Sequence, residues 1–451
     1  MRKNTLSACL AGLLAATGFL PAAAGAEDLM DIYREAVAND PVLASADARR
    51  LVVAEGVPQA RAALLPQLSA GLSLQQFHPA YSNNTNSDGT PVDGGDGHSR
   101  QRDLTLNLDQ TVVDLSKFAR ERQAKQTSEA QEATYRGELQ DLYVRSTQAY
   151  FNVLVAQDQV EIFQSFEDAY QQQYNQAKVL FDKGLAPEAD LTQAQAYYLY
   201  IKSQRVDLEN SLKDARRALQ QLTGKEPGTL KTLRDDLPMD RPAPDDASAW
   251  VKEALDQNPS VVAGTHLVSA DEHSINAARS GHLPTLNLAV GYDKLGSWSN
   301  VNRGGASYGP GSTTIGLVLA VPLFSGGLTQ SQVRQAIHQR DEDQSDLESS
   351  RRQAARDAYN YYNLVIAGIG QLGDARVAVD AAKKSLASLR AGYEIGTQNL
   401  TSVVVAIQIL ANVRSQYTSL RHQFIVNKLL LKRTVGAADL KDMEEINRLL
   451  Q

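Results

Sequence analysis

Four short segments of the chain alternate apolar and polar residues, which is the pattern of β-strands with one apolar face. The apolar positions are Leu68, Ala70, Leu72 and Leu74; Leu104, Leu106 and Leu108; Leu286, Leu288, Val290 and Tyr292; and Ile315, Leu317, Leu319 and Val321. Residues 82–98 and 296–311 separate the two members of each pair and are rich in Gly, Asn, Ser and Asp, which predicts loops.

A very long helix is predicted after each strand pair. Residues 114–181 contain no proline and only one glycine, Gly137, and residues 325–390 are similar beyond Gly326 and Gly327. A heptad seam in the second helix consists of Ala355, Ala358, Tyr362, Val365, Ile369 and Leu372. At 1.5 Å per residue, each helix extends about 100 Å.

The two halves of the chain are copies of one unit. Asn39-Asp40-Pro41 matches Gln257-Asn258-Pro259, Leu65-Pro66-Gln67-Leu68 matches Leu283-Pro284-Thr285-Leu286, and Leu222-Thr223-Gly224 matches Thr434-Val435-Gly436. In each copy we predict a helix from the first proline to the Leu-Pro pair, two strands, the long helix, a break at 184–187 or 392–396, and a returning helix that ends at glycine. The predicted units are 27–226 and 247–440, with a Pro-rich linker at 227–246 and a C-terminal tail at 441–451.

The first 26 residues have the features of a secretory signal peptide. Arg2 and Lys3 precede an apolar stretch at 6–20, and Ala24-Gly25-Ala26 fits a cleavage site, so we expect the mature chain to begin at Glu27. No later window reaches the roughly 20 apolar residues of a membrane helix. The formal net charge of −7 argues against a nucleic-acid partner. No motif indicates a catalytic, metal or cofactor site, so we expect no enzyme activity.

Four strands are too few to close a membrane barrel, which needs about eight, and open strand edges are not stable in lipid. The four strands therefore either form a sheet in a soluble protein or join the strands of other chains in one shared barrel. Three chains would supply twelve strands, with the Leu, Ile and Val rows facing lipid and the polar rows facing a wet lumen.

Several motifs along the chain resemble those of the TolC family of outer-membrane efflux and secretion channels. They are Ala63-Leu64-Leu65-Pro66-Gln67-Leu68, Ala149-Tyr150-Phe151-Asn152-Val153-Leu154, Gly281-His282-Leu283-Pro284-Thr285-Leu286, Val321-Pro322-Leu323-Phe324-Ser325-Gly326-Gly327 and Gly392-Tyr393-Glu394-Ile395-Gly396-Thr397. The resemblance implies a mainly helical homotrimer, with a twelve-stranded outer-membrane barrel above a twelve-helix periplasmic tunnel. An inner-membrane ABC or RND transporter and a periplasmic adaptor would be its partners. The alternative is that the chain is itself a soluble periplasmic coiled-coil adaptor.

The resemblance also implies a gate at the tunnel tip. Asp190 and Tyr393 match an acidic residue and a tyrosine that hold the tip closed in relatives. The third position, an arginine in many relatives, is Gln398 here. We therefore expect an Asp190–Tyr393 hydrogen bond without a charged latch, although Asp190 also suits a helix start after Pro187.

Two further sets of positions follow from the same resemblance. Ser402 and Val405 match a pore constriction that carries carboxylates in many relatives, so we expect weak cation selectivity there. Val405 either narrows the pore as an apolar ring or packs between helices. Gly326, Gly327 and Asp114 are expected at the turns where strands become tunnel helices.

Overall fold

A computed structural model describes residues 26–77, 88, 99–299 and 307–451. The predicted leader, except its last residue Ala26, and the predicted loop 82–98, except residue 88, lie outside the described residues. Within them, the elements of the first unit recur in the second in the same order.

Short helices, a strand pair, a long helix and a returning helix form each unit. The first comprises α1 (Leu29–Asn39), α2 (Pro41–Ala54), α3 (Gly56–Ala62), β1 (Gln67–Phe77), β2 (Ser99–Val113), α4 (Leu115–Asp182) and α5 (Glu188–Thr223). The second comprises α6 (Ala247–Gln257), α7 (Pro259–Arg279), β3 (Thr285–Ser299), β4 (Ser307–Tyr308), β5 (Ser312–Ala320), α8 (Leu328–Glu394) and α9 (Leu400–Thr434), and α10 (Leu440–Asn447) follows.

The short helices differ from the predicted single helix in each unit. Helices α1 and α6 were not predicted, and the helix expected from Pro41 to Leu64 is divided into α2 and α3. Pro58 lies in the first turn of α3 and has no amide hydrogen, so it cannot continue the main-chain hydrogen bonds of α2. Helix α7 has no internal proline and continues unbroken to Arg279.

Main-chain pairing places the strands in one antiparallel sheet with the order β1-β2-β3-β5. The short β4 also pairs with β3, where Tyr308 lies opposite Gly296. The predicted loop at 296–311 is therefore wrong at both ends. Pro310, which cannot donate to the ladder, lies between β4 and β5, so these form one interrupted fourth strand. This strand ends at Ala320, one residue before the predicted Val321.

One face of the sheet is apolar and uncovered within the chain. Its residues include Leu68, Leu72, Leu74, Ile315, Leu317 and Leu319, each at least 64% exposed. Ser, Thr, Asn, Asp and Gly dominate the opposite face, which also includes Ala289, Leu295, Val318 and Ala320. A single chain therefore leaves a large apolar surface exposed to solvent.

The long helices α4 and α8 contain 68 and 67 residues and extend about 100 Å from the sheet. Helix α4 packs against α7 near the sheet, and against α5 and α9 further away. Five of the six predicted seam residues of α8 belong to one cluster with Phe424: Ala358, Val365 and Leu372 are buried in it, and Tyr362 and Ile369 pack against it. No helix in the described ranges combines the length and apolar character needed to cross a membrane.

The predicted linker and tail are packed parts of the fold. Leu230 and Leu233 are buried, and Leu233 bridges to Leu450 near the C-terminus. Met443 and Ile446 of α10 join the same core, which also contains Tyr150 and Phe151 of α4. The segment 227–237 and α10 therefore form a belt around the middle of the helices.

Candidate channel gate and constriction

The first helical hairpin turns at Gly184, between α4 and α5. Gly184 has φ +72°, a conformation that glycine adopts without a steric penalty. The Leu185 amide donates to the Leu180 carbonyl at 2.8 Å, and the Gly184 amide donates to Phe181 at 2.8 Å. These hydrogen bonds satisfy carbonyl groups in the last turn of α4, as is common where a glycine ends a helix. Leu185, which follows the glycine, remains 73% exposed at the tip.

The second hairpin turns at Gly396, which has φ +77°. The Gly392 carbonyl accepts from the amides of Thr397 at 2.9 Å and Gln398 at 3.1 Å. Gly392 therefore belongs to α8, which ends at Glu394, and the predicted break began too early. The Gln398 side chain lies over Gly392, because a Cβ added there would be 2.6 Å from the Gln398 Cγ.

Asp190 and Tyr393 approach each other from the two hairpins. Burial raises the pKa of the Tyr393 hydroxyl, and the charge of Asp190 raises it further. Within the described part of this single chain the interaction is electrostatic, and no hydrogen bond joins the two side chains. The expected hydrogen bond remains a prediction for the assembled protein.

A contact between the hairpins that the sequence reasoning missed lies beside this pair. The Thr401 hydroxyl donates to the Gln193 Oε1 at 3.3 Å, which joins α9 to α5. Neither residue belongs to a quoted motif, so only spatial proximity reveals the contact.

Ser402 and Val405 occupy different environments on the first turns of α9. Asn399 caps this helix, and its Oδ1 accepts from both the amide and the hydroxyl of Ser402 at 2.8 Å. The neighbouring Val403 and Val404 are fully buried, whereas Val405 is 43% exposed. Of the two predicted constriction residues, the apolar Val405 is therefore the more exposed in the single chain.

The two turns from sheet to tunnel use different residues. Asp114 caps α4, and its carboxylate accepts from the Ser116 amide at 2.9 Å. Before α8, Gly326 and Gly327 have φ +63° and +85°. Both turns redirect the chain from strand to helix, one through a side-chain cap and one through left-handed backbone.

The family model described as "Outer membrane efflux protein" matches residues 32–225 and 250–437. The chain belongs to the outer membrane efflux protein family. The outer membrane protein TolC of Vibrio cholerae is 32% identical over 96% of this chain and 96% of its own length. The proteases secretion protein PrtF of Dickeya chrysanthemi is 28% identical over 94% of this chain and 91% of its own.

A solved structure of the same fold is the Campylobacter jejuni CmeC outer membrane channel. It has a TM-score of 0.75 at 18% identity and covers 94% of this chain and 90% of that chain. Membership in the outer membrane efflux protein family makes this protein an outer-membrane efflux or secretion channel, with its helical tunnel in the periplasm.

Proposed function

We propose that three copies of this chain form one continuous duct, with a twelve-stranded barrel in the outer membrane and a twelve-helix tunnel below it. The observation that carries this proposal is the sheet with two open edges. Strand β1 pairs only with β2, and β5 only with β3, among the described residues. Joining β1 of one copy to β5 of the next closes the sheet and gives the exposed Leu and Ile rows a lipid partner.

The duct performs no catalysis, and its transport energy comes from its partners. A periplasmic adaptor docks on the tunnel tip, and an inner-membrane ABC or RND transporter delivers drugs or secreted proteins. The exposed Leu185 and Ile395, 73% and 76% accessible, support this assignment because they present apolar contacts at both hairpin tips.

Detergent extraction, native mass determination and planar-bilayer recording test the duct. We expect a detergent-dependent trimer with a small, rarely open conductance. A water-soluble monomer without conductance would overturn the proposal and support the soluble adaptor instead.

The gate is proposed to be held by Asp190 and Tyr393 without a cationic partner at Gln398. Restoring that partner with Gln398→Arg adds a charge-assisted bond, worth roughly 1.5–3 kcal/mol, to the closed tip. The open probability in bilayers is therefore expected to fall about tenfold or more. Gln398→Met, which has similar length and no charge, is the control and should not close the tip.

A second substitution separates the gate from a general effect of added charge. Gln398→Arg combined with Asp190→Asn should return the open probability towards that of the parent protein. If the Arg variant closed the tip equally well without the Asp190 carboxylate, the proposed latch would be wrong.

The constriction is proposed to be an apolar ring of Val405, since the Ser402 hydroxyl is engaged by Asn399. Val405→Asp should introduce three carboxylates and raise the cation-to-anion permeability ratio, measured as a reversal potential in a salt gradient. Ile409→Asp is the control, because Ile409 is similarly exposed at 50% but lies one turn further along α9. Equal shifts in both variants would contradict a constriction at Val405.

A further inference from the structure

A cavity of about 420 Å³ lies beside α9, at the level of the belt and away from the gate and the constriction. Its walls are α9, α10 and the segment 234–240. The Arg234 amide donates to the Leu449 carbonyl at 3.0 Å, which holds this segment against the residues that follow α10. Small-molecule sites in proteins measure roughly 300–1,000 Å³, so the cavity is large enough for one small organic molecule.

The floor of the cavity is apolar. It consists of buried side chains of α9 and α10 and of two partly buried leucines: Phe424, Ile425, Leu429, Ile446, Leu237 and Leu449. Apolar surface of a ligand that covers this floor leaves water, and its burial favours binding. The floor therefore suits the hydrocarbon part of a ligand.

Two half-buried cations lie in the wall above this floor. The Nε of Arg234 is buried and has no hydrogen-bond partner among the described residues. The Lys428 Nζ lies 5.9 Å from the centre of the Phe424 ring, and it forms no ion pair with a carboxylate in the described part of the chain. A buried donor without an acceptor costs free energy, so an acceptor on a ligand would be stabilised here.

The other charged residues of the wall do not fill this role. Lys432 donates to Asp442, so these two side chains neutralise each other. The carboxylates of Asp240 and Glu445 are exposed at the rim, as is the guanidinium of Arg448. Solvated carboxylates at the rim gain little from a ligand, whereas the two half-buried cations lack a partner. The charge of the cavity therefore favours an anion.

The cavity belongs to a single chain. Helix α9 packs between α4 and α8 of its own chain, and only the edge helices α5 and α8 face neighbouring copies in the proposed trimer. The cavity therefore stays open on each copy, and the site goes beyond the proposed function without depending on it.

We propose that this cavity is a binding site for a small amphipathic organic acid. The carboxylate of the ligand accepts from Arg234 and is attracted by Lys428, because hydrogen bonds between ionised groups are the stronger ones in proteins. The apolar body of the ligand lies on Phe424 and the leucines of the floor. An acid of this kind joins the belt to α9 and stabilises the folded chain through its binding.

Isothermal titration calorimetry of the detergent-purified protein with naphthalene-2-carboxylate tests the site. The heat of adding the probe to the same detergent alone is subtracted. We expect the parent protein to bind the probe and Arg234→Met to bind it about tenfold or more weakly, since methionine keeps an apolar side chain but loses the charged donor. Arg216→Met, the same substitution at an exposed position of α5 outside the cavity, should bind as the parent does.

The opposite charge provides a second comparison. Naphthalen-2-ylmethylammonium has a similar shape, and we expect it to bind at least tenfold more weakly than the carboxylate. Lys428→Met should also weaken binding of the carboxylate, which guards against a folding defect in Arg234→Met, and helical circular dichroism checks that both variants are folded.

Three results would overturn the proposal. Equal affinity of the parent and both cavity variants for the carboxylate would place its binding elsewhere. Equal affinity of the parent for the carboxylate and the ammonium probe would leave an apolar cavity that does not recognise an acid. Absence of binding by either probe would show that the cavity holds no small ligand of this class and would leave this face to a partner protein.

Discussion

Helices α4 and α9 are buried in the middle of the chain, whereas their repeat counterparts α8 and α5 lie at its edges. Phe151 of α4 and His422 of α9 are 1% and 3% exposed, and their rings lie 5.2 Å apart. The match of Tyr150-Phe151-Asn152 with Tyr361-Tyr362-Asn363, and of Gly224 with Gly436, makes Tyr362 and Asn210 the equivalent residues in the other unit. Asn210 is exposed, and the hydroxyl of the half-buried Tyr362 donates to Asp245 at 2.8 Å.

The difference shows that neighbours, more than the repeated sequence, decide which copy of a helix becomes core. Large apolar side chains remain uncovered on both edge helices, including Leu199 at 51% and Val377 at 69% exposure. In the proposed trimer, α5 of one copy and α8 of the next cover each other. The buried pair stabilises the single chain, and the edge pair stabilises the assembly.

Removing the ion pair between α4 and α5 should have the largest effect on stability. The Arg205 Nε lies 2.5 Å from the Glu167 Oε2, and Glu167 is buried. Arg205→Met leaves that carboxylate without its cation and should lower the free energy of unfolding by about 3 kcal/mol. Denaturant unfolding followed by helical circular dichroism measures the change.

An exposed ion pair on α8 provides the control. Arg352 and Glu348 are 78% and 52% exposed and lie 2.8 Å apart, so Arg352→Met should cost under about 0.5 kcal/mol. Arg205→Met/Glu167→Leu should recover most of the loss, because no charge is then left buried. If Arg205→Met and Arg352→Met lowered the free energy of unfolding by similar amounts, the distinction between the buried helix α4 and the edge helix α8 would be wrong.

The titration of His422 gives a pH-dependent test of the difference between the buried helix α9 and its repeat counterpart α5. Burial lowers the pKa of this imidazole to about 4, against 6.5 ordinarily, despite an opposing hydrogen bond with the Thr418 carbonyl. The unfolded chain therefore binds more protons between these values. The contribution of the neutral His422 to the free energy of unfolding is fully present above pH 6.5. It falls as pH decreases towards 4, by roughly 3 kcal/mol in all.

His422→Leu should lose this dependence on pH, measured as the free energy of unfolding from pH 7 to pH 4. Asn210→His places a histidine at the exposed equivalent position and should not change how the free energy of unfolding depends on pH. Burial raises the pKa of Asp158 to about 6, which gives a slope of opposite sign, so both variants are compared in an Asp158→Asn background. An unchanged slope in His422→Leu would show that this imidazole is not the titrating group.

The sequence predicted the features that depend on local patterns. Alternation identified both faces of the sheet, and glycine identified the ends of the returning helices at Gly224 and Gly436. The sequence predicts only a linker and a tail at the belt and α10, because Leu233 and Met443 become part of the core only through contacts with distant segments. Asp190 and Tyr393 lie 203 residues apart in sequence, so no local pattern indicated the gate, and only the family resemblance brought the two residues together.

The hydroxyl of Tyr170 offers the smallest and most local test of the α4–α9 contact. It donates to the Val404 carbonyl at 3.0 Å, and Tyr170 is 1% exposed. Tyr170→Phe removes one buried hydrogen bond with almost no change in shape and should cost about 1 kcal/mol. Denaturant unfolding of the purified protein measures this cost.

Tyr359→Phe on the edge helix α8 is the matched control, since Tyr359 is 58% exposed and a surface change of this kind costs under about 0.5 kcal/mol. The Val404 carbonyl adjoins Val405, so the Tyr170 bond also fixes the turn that carries the proposed constriction. Tyr170→Phe should therefore broaden the distribution of single-channel conductance, whereas Tyr359→Phe should not. A loss of stability without that broadening would keep α4 and α9 as the core of the chain but separate their packing from the geometry of the pore.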